Sequence, residues 1–346
     1  MKKAIALLTC LTLSLSLASC GGSGDGGENE SGFTTATLQM STTVGDNSTA
    51  AKMCNLFAEK VSEATDGAVT INVFTSDQLS GGDMAKGVDM LVAGGTSCAF
   101  EPVDVLSSLD ERVLSLNLAW TFDSYEQAEE MLNGTAGDYI GELLEAKGLT
   151  TLGFIHNGMR QLTNKVRPVS TPADLEGIKV RVPGGEPFME AFTMLGADPL
   201  TMSFSELYTG MSQGTVDGQE NGYDLIYNNS FYEVQPYITE WNYSYGAFAL
   251  VFNSEIWNSL NEQTQQAIQE VADEVCATGN ANVVNSEAEQ RQAILDYGCE
   301  ITVLTEEQIK AFQDVLVEQG YYEYFYNKYG ADAFEAFGID IESLRA

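Results

Sequence analysis

The chain has little of what most enzyme chemistry needs. His156 is its only histidine, which excludes a two-histidine zinc site and any HExxH helix. A Ser-His-Asp triad would have to use that residue, and no GxSxG surrounds any serine. His156 therefore reads as a strand-end residue beside a cleft. No Walker A loop occurs, and the one glycine-rich run that fits a phosphate loop, at 21–27, follows no strand. The run from Asp217 to Gly222 resembles a calcium loop but has Gln219 third and Asn228 twelfth, where a loop of that type needs acidic ligands. Four cysteines remain once Cys10 and Cys20 are set aside as below: Cys54, Cys98, Cys276 and Cys299. None forms a CxxC pair, so a metal cluster is not expected. An exported chain can pair them, Cys276 with Cys299 for instance, or keep all four as buried thiols. The expectation is a protein with no metal, no cofactor and no catalysis.

Positive charge is the next scarcity. Lys and Arg number 16 against 50 Asp and Glu, a formal charge of −34. Such a field argues against nucleic acid and against anionic membrane surfaces. From residue 182 to 290 there is no Lys or Arg at all, yet Arg160, Lys165, Arg167, Lys179 and Arg181 fall within one short window. A cationic island in so acidic a chain points to a local anion site. Lys165, Arg167 and Lys179 read as solubilising surface charge, and Arg160 and Arg181 as the site.

The N-terminus has the form of an export signal: Met1-Lys2-Lys3, an apolar run over 4–18, then Leu17-Ala18-Ser19-Cys20. The last four residues resemble a bacterial lipobox, which implies that Cys20 becomes the lipidated N-terminus. The segment 20–32 is rich in Gly, Ser and acids and reads as a flexible tether. No later run reaches the roughly 18 apolar residues of a membrane span. The expected location is extracytoplasmic, held to the cell membrane by lipid.

Beyond 32 the pattern alternates strand and helix. Strands are expected at 36–40, 69–74 and 97–100. A helix capped by Ser48 carries Met53, Leu56, Phe57 and Val61 at helical spacing, and another runs over 84–92. A second series follows Gly158: a strand at 178–182, helices at 187–195 and at 204–211 (capped by Ser203), and a strand into Asp217-Gly218-Gln219. The β-prone run 241–253 suits a crossing between lobes, and a long helix is expected from 254 to about 295. The aromatic C-terminal segment reads as a helix packed on the second lobe. This organisation gives 1–19 as signal, 20–32 as tether, 33–157 plus 247–286 as lobe I, and 158–246 plus 287–346 as lobe II.

Binding chemistry is what remains. A guanidinium offers a rigid fork of donors that matches a carboxylate bidentately. Arg181 ends a predicted strand just before Pro183-Gly184-Gly185, at the sheet edge where ligands of open α/β folds sit. At physiological salt, with a Debye length of about 8 Å, distant acids are screened and a local arginine pair sets the sign of a cleft.

Several runs then resemble one family in order and spacing. They are Gly158-Met-Arg160-Gln-Leu-Thr163-Asn164, Thr171-Pro-Ala-Asp174-Leu-Glu-Gly177-Ile-Lys-Val-Arg181-Val-Pro183, Leu195-Gly-Ala-Asp-Pro199, Phe204-Ser-Glu-Leu-Tyr208, Gly214-Thr-Val-Asp217-Gly-Gln-Glu220-Asn221 and Phe231-Tyr-Glu-Val234. Together they resemble the DctP-type solute receptors of tripartite ATP-independent periplasmic (TRAP) transporters, with weaker similarity over about 33–283. The resemblance implies a two-lobed α/β fold of the type II periplasmic-binding-protein kind, with mixed sheets, crossing strands and a long interlobe helix. It implies a small organic acid as ligand and the transporter's membrane subunits as partner. It casts Arg181 as the carboxylate clamp, Arg160 as a second cationic contact, Asn221 as a hydrogen-bond donor and Phe204 as a cleft aromatic. Glu101 is the candidate for the ligand's polar end. Gly222 stands where the family usually has Pro. Two rival readings are a surface-anchored hydrolase using an acidic pair and an adhesion module on the same two lobes.

Overall fold

Among the described residues eleven strands assemble into two sheets, each at the centre of one lobe. The computed structural model describes residues 27–344, so the expected signal, Cys20 and the start of the tether lie outside the described residues. In chain order the strands are β1 (Ala36–Thr42), β2 (Val69–Phe74), β3 (Cys98–Pro102), β4 (Leu149–Met159), β5 (Gln161–Asn164) and β6 (Lys179–Val182). Then follow β7 (Asp198–Thr201), β8 (Gly218–Asn221), β9 (Tyr237–Glu240), β10 (Tyr245–Asn253) and β11 (Glu300–Val303). The first sheet has the order β2-β1-β3-β10-β4 and the second β11-β9-β5-β8-β6-β7. Both are mixed: β1 runs parallel to β2 and β3, and β10 is antiparallel to β3 and β4.

The chain passes between sheets at neighbouring places. Arg160 is the single residue between β4 and β5, and residues 241–244 lie between β9 and β10. The Arg160 amide donates to Ser244 O at 2.8 Å, tying the two crossings together. The crossing run expected over 241–253 is thus a strand only from Tyr245, after a tight passage in which Asn242 takes a positive φ.

The helix Thr49–Ala64 is capped as its sequence indicates, Ser48 accepting from the Ala51 amide. Ser203 precedes the helix Phe204–Gln213 but makes no side-chain cap. The long helix expected from 254 is two helices, Ser254–Ser259 and Glu262–Tyr297. Leu260 is extended between them, and Asn261 restarts the helix by accepting from the Thr264 amide. The second helix has 36 residues, about 54 Å at 1.5 Å per residue. It packs on the helix Thr49–Ala64 and on β4, and places Ile294 in the core of the other sheet.

Two expectations are corrected at the ends of the chain. Residues 28–32, expected as tether, are folded onto the body: Asn261 Nδ2 donates to Glu28 Oε1 and Gly32 O, and Asn29 Nδ2 to Thr65 O. The aromatic C-terminal helix Tyr321–Tyr329 does not pack on the second lobe alone. Tyr322 Oη donates to Ala119 O and Tyr321 Oη to Pro187 O, so it joins both lobes. Its rings share one continuous core with residues of both sheets. Cys54, Cys98, Cys276 and Cys299 are free, buried thiols.

Candidate functional site

β5 and β8 pair antiparallel with Gln161 opposite Asn221 and Leu162 opposite Glu220. This register brings Arg160, at the crossing, beside the Glu220 carboxylate. Arg160 Nε and Nη2 both donate to that carboxylate, the Nη2–Oε1 distance being 2.8 Å. Nη2 also meets Glu220 O at 3.0 Å and Asn221 Oδ1 at 3.3 Å. Tyr243 Oη donates to Glu220 Oε2 at 2.6 Å, and the guanidinium lies 5.3 Å from the Phe188 ring centroid. Burial acts to lower the Arg160 pKa, but the Glu220 carboxylate outweighs it and holds the guanidinium above its ordinary value. Arg160 Nη1 keeps no protein partner.

Arg181, in β6, is equally buried and differently served. Its Nε donates to Met202 O at 2.9 Å, its Nη2 has no partner, and among the described residues it makes no ion pair. Burial pushes its pKa down to about 10; Glu220 works against this and Arg160 with it. A buried cation without its own anion is costly unless something supplies the counter-charge.

Arg160 and Arg181 both line a narrow interlobe cavity, together with Asn221 and Phe204. Thr43, Asp104 and Asn157 line it from the first lobe's side. Asn221 Nδ2 donates to Gln219 Oε1 at 2.6 Å, which leaves its second amide hydrogen. Asn157 Oδ1 has no partner. Three orphaned polar atoms, the two guanidinium nitrogens and this carbonyl, thus belong to side chains that line one cavity.

Glu101 is not among the side chains that line the cavity. It is buried in β3 and accepts from Thr43 Oγ1 at 2.6 Å, standing behind a residue that does line it. Burial, and then the neighbouring Asp77, raise its pKa well above the carboxylate range. Asp104 lies three residues on, in the short helix Val103–Leu106. Burial raises its pKa too, with Arg160 opposing. Sequence reasoning missed Asp104, Asn157 and the pairing of Glu220; only Glu220 stood within a motif already singled out.

Of the rest of the basic island, Lys179 is exposed as expected, but Lys165 and Arg167 are not free surface charge. Lys165 Nζ donates to Met211 O and Val216 O at the end of a helix, and Arg167 Nε to Asp174 O. His156 is buried in β4 away from the cavity lining, its Nδ1 2.6 Å from Tyr245 Oη.

Two mixed sheets joined by adjacent crossings, with arginines closing on a cavity between them, define a periplasmic-type solute-binding protein. Residues 40–328 match the family model of the bacterial extracellular solute-binding proteins, family 7, also called DctP. The chain belongs to this family and is a solute receptor of the DctP type used by TRAP transporters. It is 32% identical to the 2,3-diketo-L-gulonate-binding periplasmic protein YiaO of Escherichia coli, over 76% of this chain and 79% of that one. Identity to the C4-dicarboxylate-binding periplasmic protein DctP of Vibrio cholerae is 28%, over 82% of this chain and 83% of that one. Among solved structures it is similar to the sugar acid binding protein DctPAm of Advenella mimigardefordensis in complex with galactonate. The TM-score is 0.83 at 26% identity, covering 88% of this chain and 96% of that one. A TRAP periplasmic solute-binding protein of Shewanella oneidensis with bound succinate gives TM-score 0.83 at 27% identity, covering 90% and 100%. The family is one of extracytoplasmic binding proteins rather than enzymes.

Proposed function

We propose that this receptor closes on a small organic acid, clamps its carboxylate with Arg181, and delivers it to a TRAP membrane permease. The observation that carries the reading is Arg181 itself: fully buried, lining the cavity, and without an anionic partner of its own. A carboxylate supplies the missing charge and two lone-pair faces for the guanidinium fork. Arg160, already committed to Glu220, contributes its free Nη1, and Asn221 its second amide hydrogen. Each hydrogen bond to a charged group contributes roughly 1.5–3 kcal/mol net, so a bidentate clamp and two further contacts reach the roughly 8 kcal/mol of micromolar binding. Delivery follows if the permease prefers the closed, loaded form. The domain division expected above, with lobes meeting near residues 158 and 246, is consistent with the two crossings.

Lipid attachment at Cys20 is part of the proposal, supported by Leu17-Ala18-Ser19-Cys20 and the polar segment after it. The hydrolase reading finds no support in the cavity. Among the described residues Asp104 is its one acidic lining residue, which leaves no acidic pair, and burial holds His156 down at about 4. Calorimetry with a panel of organic acids tests the receptor: saturable binding lost in Arg181→Ala supports it, and turnover of an ester or glycoside overturns it. Incorporation of labelled palmitate that survives Cys20→Ala would remove the anchor.

A further inference from the structure

Asp104 is a carboxylate where a receptor for anions has least use for one. It is 5% exposed, and no other described residue donates a hydrogen bond to its side chain. Its helix follows β3, at the carboxyl edge of the first sheet, across the cavity from the two arginines.

The same carboxylate marks the boundary with a second, outer cavity of about 400 Å³, which shares Met84, Asp104, Val105 and Pro183 with the inner one. Beyond Asp104 the outer walls carry Ser107, Ser108, Glu111 and Glu186, and no Lys or Arg. Lys328 pairs with Glu111 and Glu186 but does not line the cavity itself.

A charge count along the ligand's path then decides what fits. Glu220 balances Arg160, and the ligand's own carboxylate balances Arg181. Asp104 feels the field of both arginines but is hydrogen-bonded to neither, and no Lys or Arg lines the outer cavity beside it. A second carboxylate at the ligand's far end would meet Asp104 as a like charge, and repulsion at so buried a side chain is screened least. A hydroxyl or an ammonium there would instead give this carboxylate, bonded only to its own backbone amide, a further donor.

We infer that Asp104 is a specificity residue that selects monocarboxylates bearing a hydrogen-bond donor at the far end, and rejects dicarboxylates. This inference rests on the carboxylate-receptor reading above, and its test separates the two.

The measurement is calorimetry at neutral pH with acids that differ only at the far carbon. Suitable pairs are galactonate against galactarate and erythronate against meso-tartrate. A shorter series adds γ-hydroxybutyrate and γ-aminobutyrate against succinate, and distinguishes hydroxyl from ammonium. The expected result is that the monoacid of the best-bound pair binds at least about tenfold tighter than its diacid. Asp104→Asn, folded by circular dichroism, should narrow that ratio by about tenfold, weakening the monoacid and admitting the diacid. A diacid bound as tightly as its monoacid, or a ratio unchanged in Asp104→Asn, overturns the role of Asp104 while leaving the receptor intact. No binding of any acid by folded wild-type protein overturns the receptor reading and this inference with it.

Discussion

Arg160 and Glu220 form a bidentate ion pair buried on both sides, with side-chain exposures of 1% and 0%. The pair divides two arginines that look equivalent in sequence. One is structural, pinning the crossing between sheets to β8, and the other carries the free charge of the cavity.

Substitutions at the two arginines should therefore fail in different ways. Arg181→Ala is expected to weaken acid binding by about a hundredfold or more, the loss of a bidentate charged contact, with little change in thermal stability. Arg160→Ala leaves the Glu220 carboxylate buried and unpaired and should cost about 3–5 kcal/mol of stability. Arg160→Met combined with Glu220→Leu should recover much of that loss. Denaturant unfolding of the three variants checks it, and equal stability of the single and double variants would refute the division.

Gly222 shows why this chain departs from the proline usual in its family at that position. Its φ of −67° suits proline. A Cβ there, however, would lie 2.4 Å from Asn157 O and 3.3 Å from Gly158 Cα, both backbone atoms. Gly222→Pro and Gly222→Ala are both expected to destabilise, by about 1–3 kcal/mol or more, and to weaken binding by shifting Asn157 and Asn221. A melting temperature unchanged in either variant would show that the crossing yields freely.

His156 gives the stability a defined acid limb. Burial lowers its pKa from 6.5 to about 4, so the native state keeps it neutral while the unfolded chain protonates below 6.5. Its stabilising contribution is complete above pH 6.5 and is lost as pH falls towards 4, on the order of 3 kcal/mol in all. Denaturant midpoints at pH 7.5 and 4.5 should fall further for wild type than for His156→Gln. Parallel falls in the two proteins would exclude the histidine as a cause.

The four thiols should be silent in the native protein. Burial raises the Cys54 and Cys98 thiols well above their usual range and pushes Cys276 up to about 12. A thiolate-seeking reagent is expected to label Cys54, Cys98, Cys276 and Cys299 only after denaturation. A reducing agent should leave the melting temperature unchanged; a drop would indicate the Cys276–Cys299 bridge.

Much of the architecture was legible because it is local. The cap at Ser48, the strand over 69–74 and the helix over 84–92 follow from periodicity and capping residues adjacent in the chain, and the structure has Val69–Phe74 and Met84–Val92. The long helix expected from 254 is broken at Leu260, which is extended, and Asn261, which caps the helix that follows. Arg160, Arg181, Asn221 and Phe204 were recognisable from motifs, and one cavity now gathers all four. Glu101 and Asp104 lie three residues apart on either side of a strand-to-helix junction, and no single periodicity says which of them faces the cleft.

The sequence by itself determined the class: an acidic, two-lobed α/β solute receptor of the DctP type. Motif order, charge distribution and periodicity are properties of the linear chain, so they can be read along it. Only the tertiary structure decided how the charges partner. The Arg160–Glu220 pair depends on the register of β5 against β8 across 60 residues, and Asp104 faces the arginines because two sheets fold against each other. Electrostatic energy depends on distance in space and on burial, and neither is a property of position along the chain.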